Sequence, residues 1–176
     1  LKRKIITSFG SGFIKPAEPL YGEITELGKN IALAGFSVCS GGYYGSMEAI
    51  SKGAKETGGK VTGITVKGRD SKPNKYIDDL IESENLMERI LKLITIADAY
   101  IVFKGGTGTL LEISAALELM NKKAIPEKKM IFYGYHWKNV IDSLAPDSKE
   151  LELLLKRDIK FINKPSDISE ILTEIK

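Results

Sequence analysis

Ala99-Tyr100-Ile101-Val102-Phe103-Lys104-Gly105-Gly106-Thr107-Gly108-Thr109-Leu110-Leu111-Glu112 is the stretch on which the fold turns. Ala99 to Phe103 is apolar, aromatic or β-branched, which suits a short buried strand. The run then breaks into glycine and threonine, where little side chain obstructs a turn. From Leu110 to Met120 the apolar spacing becomes helical. A strand that empties through glycines into a helix is the junction found at the carboxyl edge of an α/β sheet.

The same alternation spreads outward in both directions. Toward the N-terminus, Lys4–Phe9 predicts a strand that stops at Gly10-Ser11-Gly12. Pro19–Ala34 predicts a helix with Leu20, Ile24, Leu27, Ile31 and Ala34 on one face and Gly35 as its stop. Phe36–Cys39 reads as a strand ending in Ser40-Gly41-Gly42, followed by a helix from Gly45 to Thr57 and a strand over Lys60–Val66. Lys67–Lys75 reads as a polar loop, Tyr76–Glu84 offers a short strand at 79–81, and Leu86–Ala97 is helical. Toward the C-terminus, Met130–Tyr133 and Lys160–Ile162 predict strands, the second flanked by two helical pieces, the last over Ser166–Ile175. No repeat or linker divides the chain, so residues 1–176 read as one domain: an α/β fold with an open, mostly parallel sheet and helices on both faces.

Composition narrows the function. At 176 residues and 43% hydrophobic, the chain can build a full core without staples. One cysteine, Cys39, excludes an intramolecular disulfide, and one histidine, His136, excludes histidine-rich metal sites; neither a metal nor a cofactor is expected. No apolar run approaches the ~20 residues of a membrane span, and no signal sequence is visible, so the expected location is the cytoplasm, away from membranes. The 26 basic and 23 acidic residues are interspersed, whereas nucleic-acid binding favours a concentrated basic stripe. A small anionic ligand suits this balance better than nucleic acid.

Three glycine clusters fall at strand ends: Gly10-Ser11-Gly12, Ser40-Gly41-Gly42 and Gly105–Thr109. The third opens a helix, whose first N–H groups lack internal partners and attract anions, phosphate above all. It matches neither the phosphate loop of ATPases nor Gly-x-Gly-x-x-Gly, because Leu111 stands at the third glycine. Glu112 follows Thr109 by three residues, the spacing of a capping box. Arg89 lies beside Glu88 and near Glu84, the pattern of a solvated ion pair. An arginine and a carboxylate beside a phosphate cradle also suit a glycosidic or phosphoester site. Cys39 reads as core, and Tyr43, Tyr44 and Trp137 as packing aromatics near helix starts.

Met87-Glu88-Arg89, followed by Gly105-Gly106-Thr107-Gly108-Thr109-Leu110-Leu111-Glu112, resembles the Lonely Guy (LOG) family with its Met-x-x-Arg and Pro-Gly-Gly-x-Gly-Thr-x-x-Glu motifs. Ser40-Gly41-Gly42-Tyr43-Tyr44-Gly45-Ser46-Met47 is similar to the family's Gly-Gly-Gly-x-x-Gly-Leu-Met stretch. The resemblance implies a Rossmann-like fold, a homodimer or higher homo-oligomer, and hydrolysis of the N-glycosidic bond of a nucleoside 5′-monophosphate, AMP or cytokinin-type. It implies that Arg89 and Glu112 are catalytic and that Gly105, Gly106, Thr107, Gly108 and Thr109 hold the phosphate. Gly10, Ser11, Gly41 and Gly42 would complete the nucleotide site, with Lys104 within reach of the phosphate. The common label "lysine decarboxylase-like" implies pyridoxal chemistry, which these residues do not support. Lys104 replaces the family's proline, Ser40 its first glycine and Glu48 its last, and the two lost glycines are expected to narrow the pocket. Relatives of this fold include carriers, so the alternative is a non-catalytic nucleotide- or molybdenum-cofactor-binding carrier or sensor.

Overall fold

The computed structural model describes residues 3–68, 70–144 and 148–175. Among the described residues seven strands form one sheet: β1 (Ile5–Phe9), β2 (Ser37–Ser40), β3 (Val61–Val66), β4 (Asp79–Ser83), β5 (Ala99–Val102), β6 (Met130–Tyr133) and β7 (Ile159–Ile162). Their order is β4-β3-β2-β1-β5-β6-β7, and every neighbouring pair is parallel. The sheet is Rossmann-like and wholly parallel. Parallel neighbours need crossovers, and the helices that supply them cover both faces.

One face is packed by α1 (Pro19–Leu33), α2 (Ser46–Glu56) and α7 (Ile168–Ile175), through Ile24, Leu27, Ile31, Ala49, Ile50, Ile168 and Leu172 against Ile6, Val38 and Ile101. The other is packed by α3 (Leu86–Ile96), α4 (Thr107–Asn121), α5 (Lys138–Asp142) and α6 (Lys149–Asp158). There Ile90, Leu93, Ile94, Ile113, Ala116, Leu117 and Leu154 meet Phe9, Tyr100, Val102 and Phe132. Successive residues of the inner strands point to opposite layers and are buried in both, which is why those strands read as continuous apolar runs.

Strand order reverses at β1, whose neighbours are β2 and β5. The chains leaving β1 and β5 therefore diverge to opposite faces, and a crevice opens between their carboxyl ends. Three details differ from the sequence expectation. The helix expected to start at Leu110 starts at Thr107, because Gly106 is its N-cap. The strand expected at 79–81 extends over Asp79–Ser83. The last helix is preceded by a 3-10 turn at Pro165–Asp167. Among the described residues, no helix is long and apolar enough to cross a membrane.

Candidate functional site

The crevice at the β1/β5 switch point is a cleft of about 450 Å³. It is lined by Ser8, Gly10, Ser11, Gly12 and Phe13 after β1, by Gly41, Tyr43, Tyr44 and Met47 after β2, and by Ser71, Arg89, Gly106–Thr109 and Glu112. Sequence segments separated by up to a hundred residues thus meet on one surface. Backbone bonds fix them to one another. Ser11 N–H donates to the Lys104 carbonyl (3.1 Å), and the Ser11 carbonyl accepts from Ser46 N–H (2.9 Å) and Ser46 Oγ (3.0 Å).

Arg89 and Glu112 are the charged groups at the centre. Arg89 is only 7% exposed. Its Nε donates to the Ile64 carbonyl at 2.7 Å and its Nη2 to the Gly41 carbonyl at 3.2 Å, while Nη1 stands 3.9 Å from Glu112 Oε1. The guanidinium also lies over the Tyr43 ring, 5.6 Å from its centroid. A Cβ at Gly41 would overlap Nη2 and crowd Met47 Sδ at 2.7 Å, so glycine at 41 is the space into which Arg89 fits. The solvated ion pair suggested by Glu84 and Glu88 does not form: Glu88 pairs with Lys92 at 2.7 Å and Arg89 points inward.

Glu112 is not a capping residue. With the helix starting at Thr107, Gly106 caps it and no side chain completes the cap, so Thr109 lies inside the first turn. Burial pushes the Glu112 carboxyl up and outweighs the opposing pull of the Arg89 charge, leaving it at about 7. A carboxyl poised near neutrality, facing a fixed cation inside a cleft, is equipped to move a proton or to stabilise developing positive charge. The N–H groups of Thr107, Gly108 and Thr109 open α4 on the same surface, where the helix dipole favours an anion.

Of the residues expected to bind the ligand, Gly10, Ser11, Gly41, Gly106, Thr107, Gly108 and Thr109 line the cleft, together with Arg89 and Glu112. Gly42, Lys104 and Gly105 are not among the lining residues. Gly42 takes a φ of +78° to turn the chain, and its N–H donates to Ser40 Oγ at 3.1 Å. Ser40 therefore holds this turn from inside the core and does not narrow the pocket; nor does Glu48, which lies outside the lining. Gly105 is held from outside by His136, whose Nε2 is 3.2 Å from the Gly105 carbonyl. Trp137 packs beside that ring and donates its indole N–H to the Phe103 carbonyl at 2.9 Å. Cys39 is core: burial pushes its thiol up to about 12.

The sequence reading assigns no functional role to the lining residues Ser8, Phe13 and Ser71, and it takes Tyr43 and Tyr44 as packing aromatics. Ser8 had a visible signal, a hydroxyl inside an apolar strand. Its Oγ is buried and has no hydrogen-bond partner among the described residues. An orphaned hydroxyl beside a cleft is costly unless a ligand satisfies it.

An uncharacterized protein of Archaeoglobus fulgidus is 36% identical over 117 residues, 66% of this chain and 77% of its own. A molybdenum cofactor binding protein from Rippkaea orientalis has a similar structure, with 25% identity, TM-score 0.75, and coverage of 99% of this chain and 98% of that one. The molybdenum cofactor carrier protein of Chlamydomonas reinhardtii is similar in fold, with 22% identity, TM-score 0.71, and coverage of 99% and 98%. Residues 3–155 match the SLOG cluster4 family, which takes in every lining residue of the cleft. With the motifs, the parallel sheet and the switch-point cleft in agreement, the chain belongs to that family, within the LOG-like Rossmann superfamily.

Proposed function

We propose that the cleft binds a nucleoside 5′-monophosphate and hydrolyses its N-glycosidic bond, releasing the free base and ribose 5-phosphate. The observation that carries this reading is the buried Arg89–Glu112 pair beside the N-terminus of α4. The phosphate sits on the N–H groups of Thr107–Thr109, which places the sugar toward Glu112. The C1′–N bond breaks with its electron pair leaving on the base, and ionised Glu112 stabilises the oxocarbenium-like charge on the sugar. Water then supplies the oxygen at C1′, and its proton passes to Glu112 and on to the departing base. Arg89 holds the carboxylate in place and favours its charged form. Gly10, Ser11 and Gly41 shape the walls, while Gly42, Gly105 and Lys104 hold the turns that carry them.

The test is incubation of the purified protein with AMP and related monophosphates, following free base and ribose 5-phosphate. Release that is lost in Glu112→Gln while the nucleotide still binds is the expected result. Full activity in Glu112→Gln overturns the assignment. A second reading, a carrier that binds without turnover, is supported by the full-length likeness to the Rippkaea orientalis molybdenum cofactor binding protein. Tight binding of a monophosphate or a pterin monophosphate with no release selects it.

A further inference from the structure

The mouth of the cleft carries two large rings that the fold leaves in water. Phe13 is 92% exposed and Tyr44 is 47% exposed, and both line the cleft. Among the described residues neither stacks on another aromatic ring, whereas exposed Tyr135 lies on Phe161 with ring centroids 6.3 Å apart. Tyr44's neighbours in sequence behave as packing aromatics should. Tyr43 is buried and its hydroxyl accepts from Val66 N–H at 3.2 Å. Tyr44 turns the other way.

The backbones that present these rings are firmly held. Phe13 N–H donates to Ser11 Oγ at 3.1 Å, and the Ser11 carbonyl is the one gripped by Ser46. The Tyr44 loop is anchored by buried Asn74, whose Nδ2 donates to the carbonyls of Gly42 (3.2 Å) and Tyr43 (2.8 Å). Gly45, at a φ of +66°, packs so closely on Ser11 and Gly12 that a Cβ there would overlap the Ser11 carbonyl. The two loops are therefore fastened to the core and to each other. An aromatic ring on an ordered backbone binds a partner at low entropic cost, and it presents a face on which a planar ligand stacks.

From these observations we infer that Phe13 and Tyr44 form the platform for a planar nitrogen heterocycle at the far end of the phosphorylated ligand. The inference rests on the phosphate cradle proposed above and adds the other end of the molecule. The cleft volume of about 450 Å³ falls within the size of small-molecule pockets. Nucleobases and pterins share the required chemistry, a flat, polarisable ring, and the platform accepts either.

Calorimetric titration of the wild type, Phe13→Ala, Tyr44→Ala and the double variant with AMP, a pterin monophosphate, adenosine and ribose 5-phosphate tests it. The double variant is expected to lose at least about tenfold affinity for the ring-bearing monophosphate while ribose 5-phosphate binds unchanged. Whichever of AMP or the pterin monophosphate shows the loss identifies the ring. Equal wild-type affinity for ribose 5-phosphate and both ring-bearing monophosphates overturns the platform and leaves the cradle standing. Binding of adenosine without ribose 5-phosphate does the reverse. Absence of binding by all four overturns both. A change of oligomeric state in the double variant with unchanged ring affinity also overturns the platform, assigning the rings to contact between copies.

Discussion

The two ends of the sheet carry hollows of nearly equal size, about 450 Å³ at the carboxyl end and about 430 Å³ at the amino end. The amino-end hollow is lined by Arg3, Ile5, Ser37, Lys60, Thr62, Asp79, Ile81 and Ile96, without a glycine turn or a helix N-terminus. Its ion pair, Lys60 with Asp79, is close at 2.8 Å, yet both side chains are more than half exposed. The Arg89–Glu112 pair is longer at 3.9 Å, but its side chains are 9% and 13% exposed. Volume and ion-pair distance would rank the two ends alike or favour the wrong one. Desolvation separates them, because a charge held away from water keeps a field that solvent would otherwise screen.

Arg89→Ala breaks the carboxyl-end arrangement most severely. It leaves Glu112 buried without its cation and removes the Arg89 bonds to the Ile64 and Gly41 carbonyls, so chemical denaturation should show a loss of about 3 kcal/mol or more. Glu112→Gln should lower turnover by at least about 100-fold. It should also alter the pH dependence of stability. The wild-type carboxyl, raised from 4.5 to about 7, costs the fold nothing below pH 4.5 and its full penalty above pH 7. Melting curves at pH 5 and pH 8 should therefore show Glu112→Gln gaining up to about 2–3 kcal/mol relative to wild type at the higher pH.

Gly41→Ala keeps every charge but fills the space that Arg89 Nη2 occupies, so a destabilisation of about 2 kcal/mol with impaired turnover is expected. If Gly41→Ala is silent, Arg89 is free to move and the arrangement is less fixed than its contacts imply. Ser8→Ala removes an orphaned hydroxyl. Thermal unfolding without ligand should be unchanged or improved by about 1 kcal/mol, while stabilisation by added AMP should shrink. At the opposite end, Lys60→Met should leave the melting temperature, binding and turnover as they are, and any loss of activity would erase the contrast between the two hollows.

Much of this was legible in the sequence because it depends on local pattern. The β-branched runs gave the strands, and the glycine clusters marked the edge at which the site lies. The glycine at 41 was legible as a turn, but its reason was not: it accommodates an arginine 48 positions later. The capping-box reading of Thr109 and Glu112 failed because the preceding glycines let the helix begin a turn earlier, which freed Glu112 to face Arg89. Ser40 was read as an intrusion, whereas its hydroxyl is spent on the Gly42 turn. Phe13 carries no motif at all, and only burial reveals a ring left outside. Sequence spacing shows which residues share an element; which face meets which ligand is decided by contacts between elements.

Trp137 is the sole tryptophan of the chain, so its emission has one source. Its indole is bonded to the carbonyl of Phe103, and the neighbouring imidazole of His136 leans edge-on against it at 4.9 Å while touching the Gly105 carbonyl. The proposed anion site at the start of α4 begins at the residue after Gly105, so indole, imidazole and cradle are joined by direct contacts. A change in indole emission on stopped-flow mixing with AMP is therefore the expected label-free sign of occupancy, and its absence at saturating ligand would show that the cradle and the indole are uncoupled.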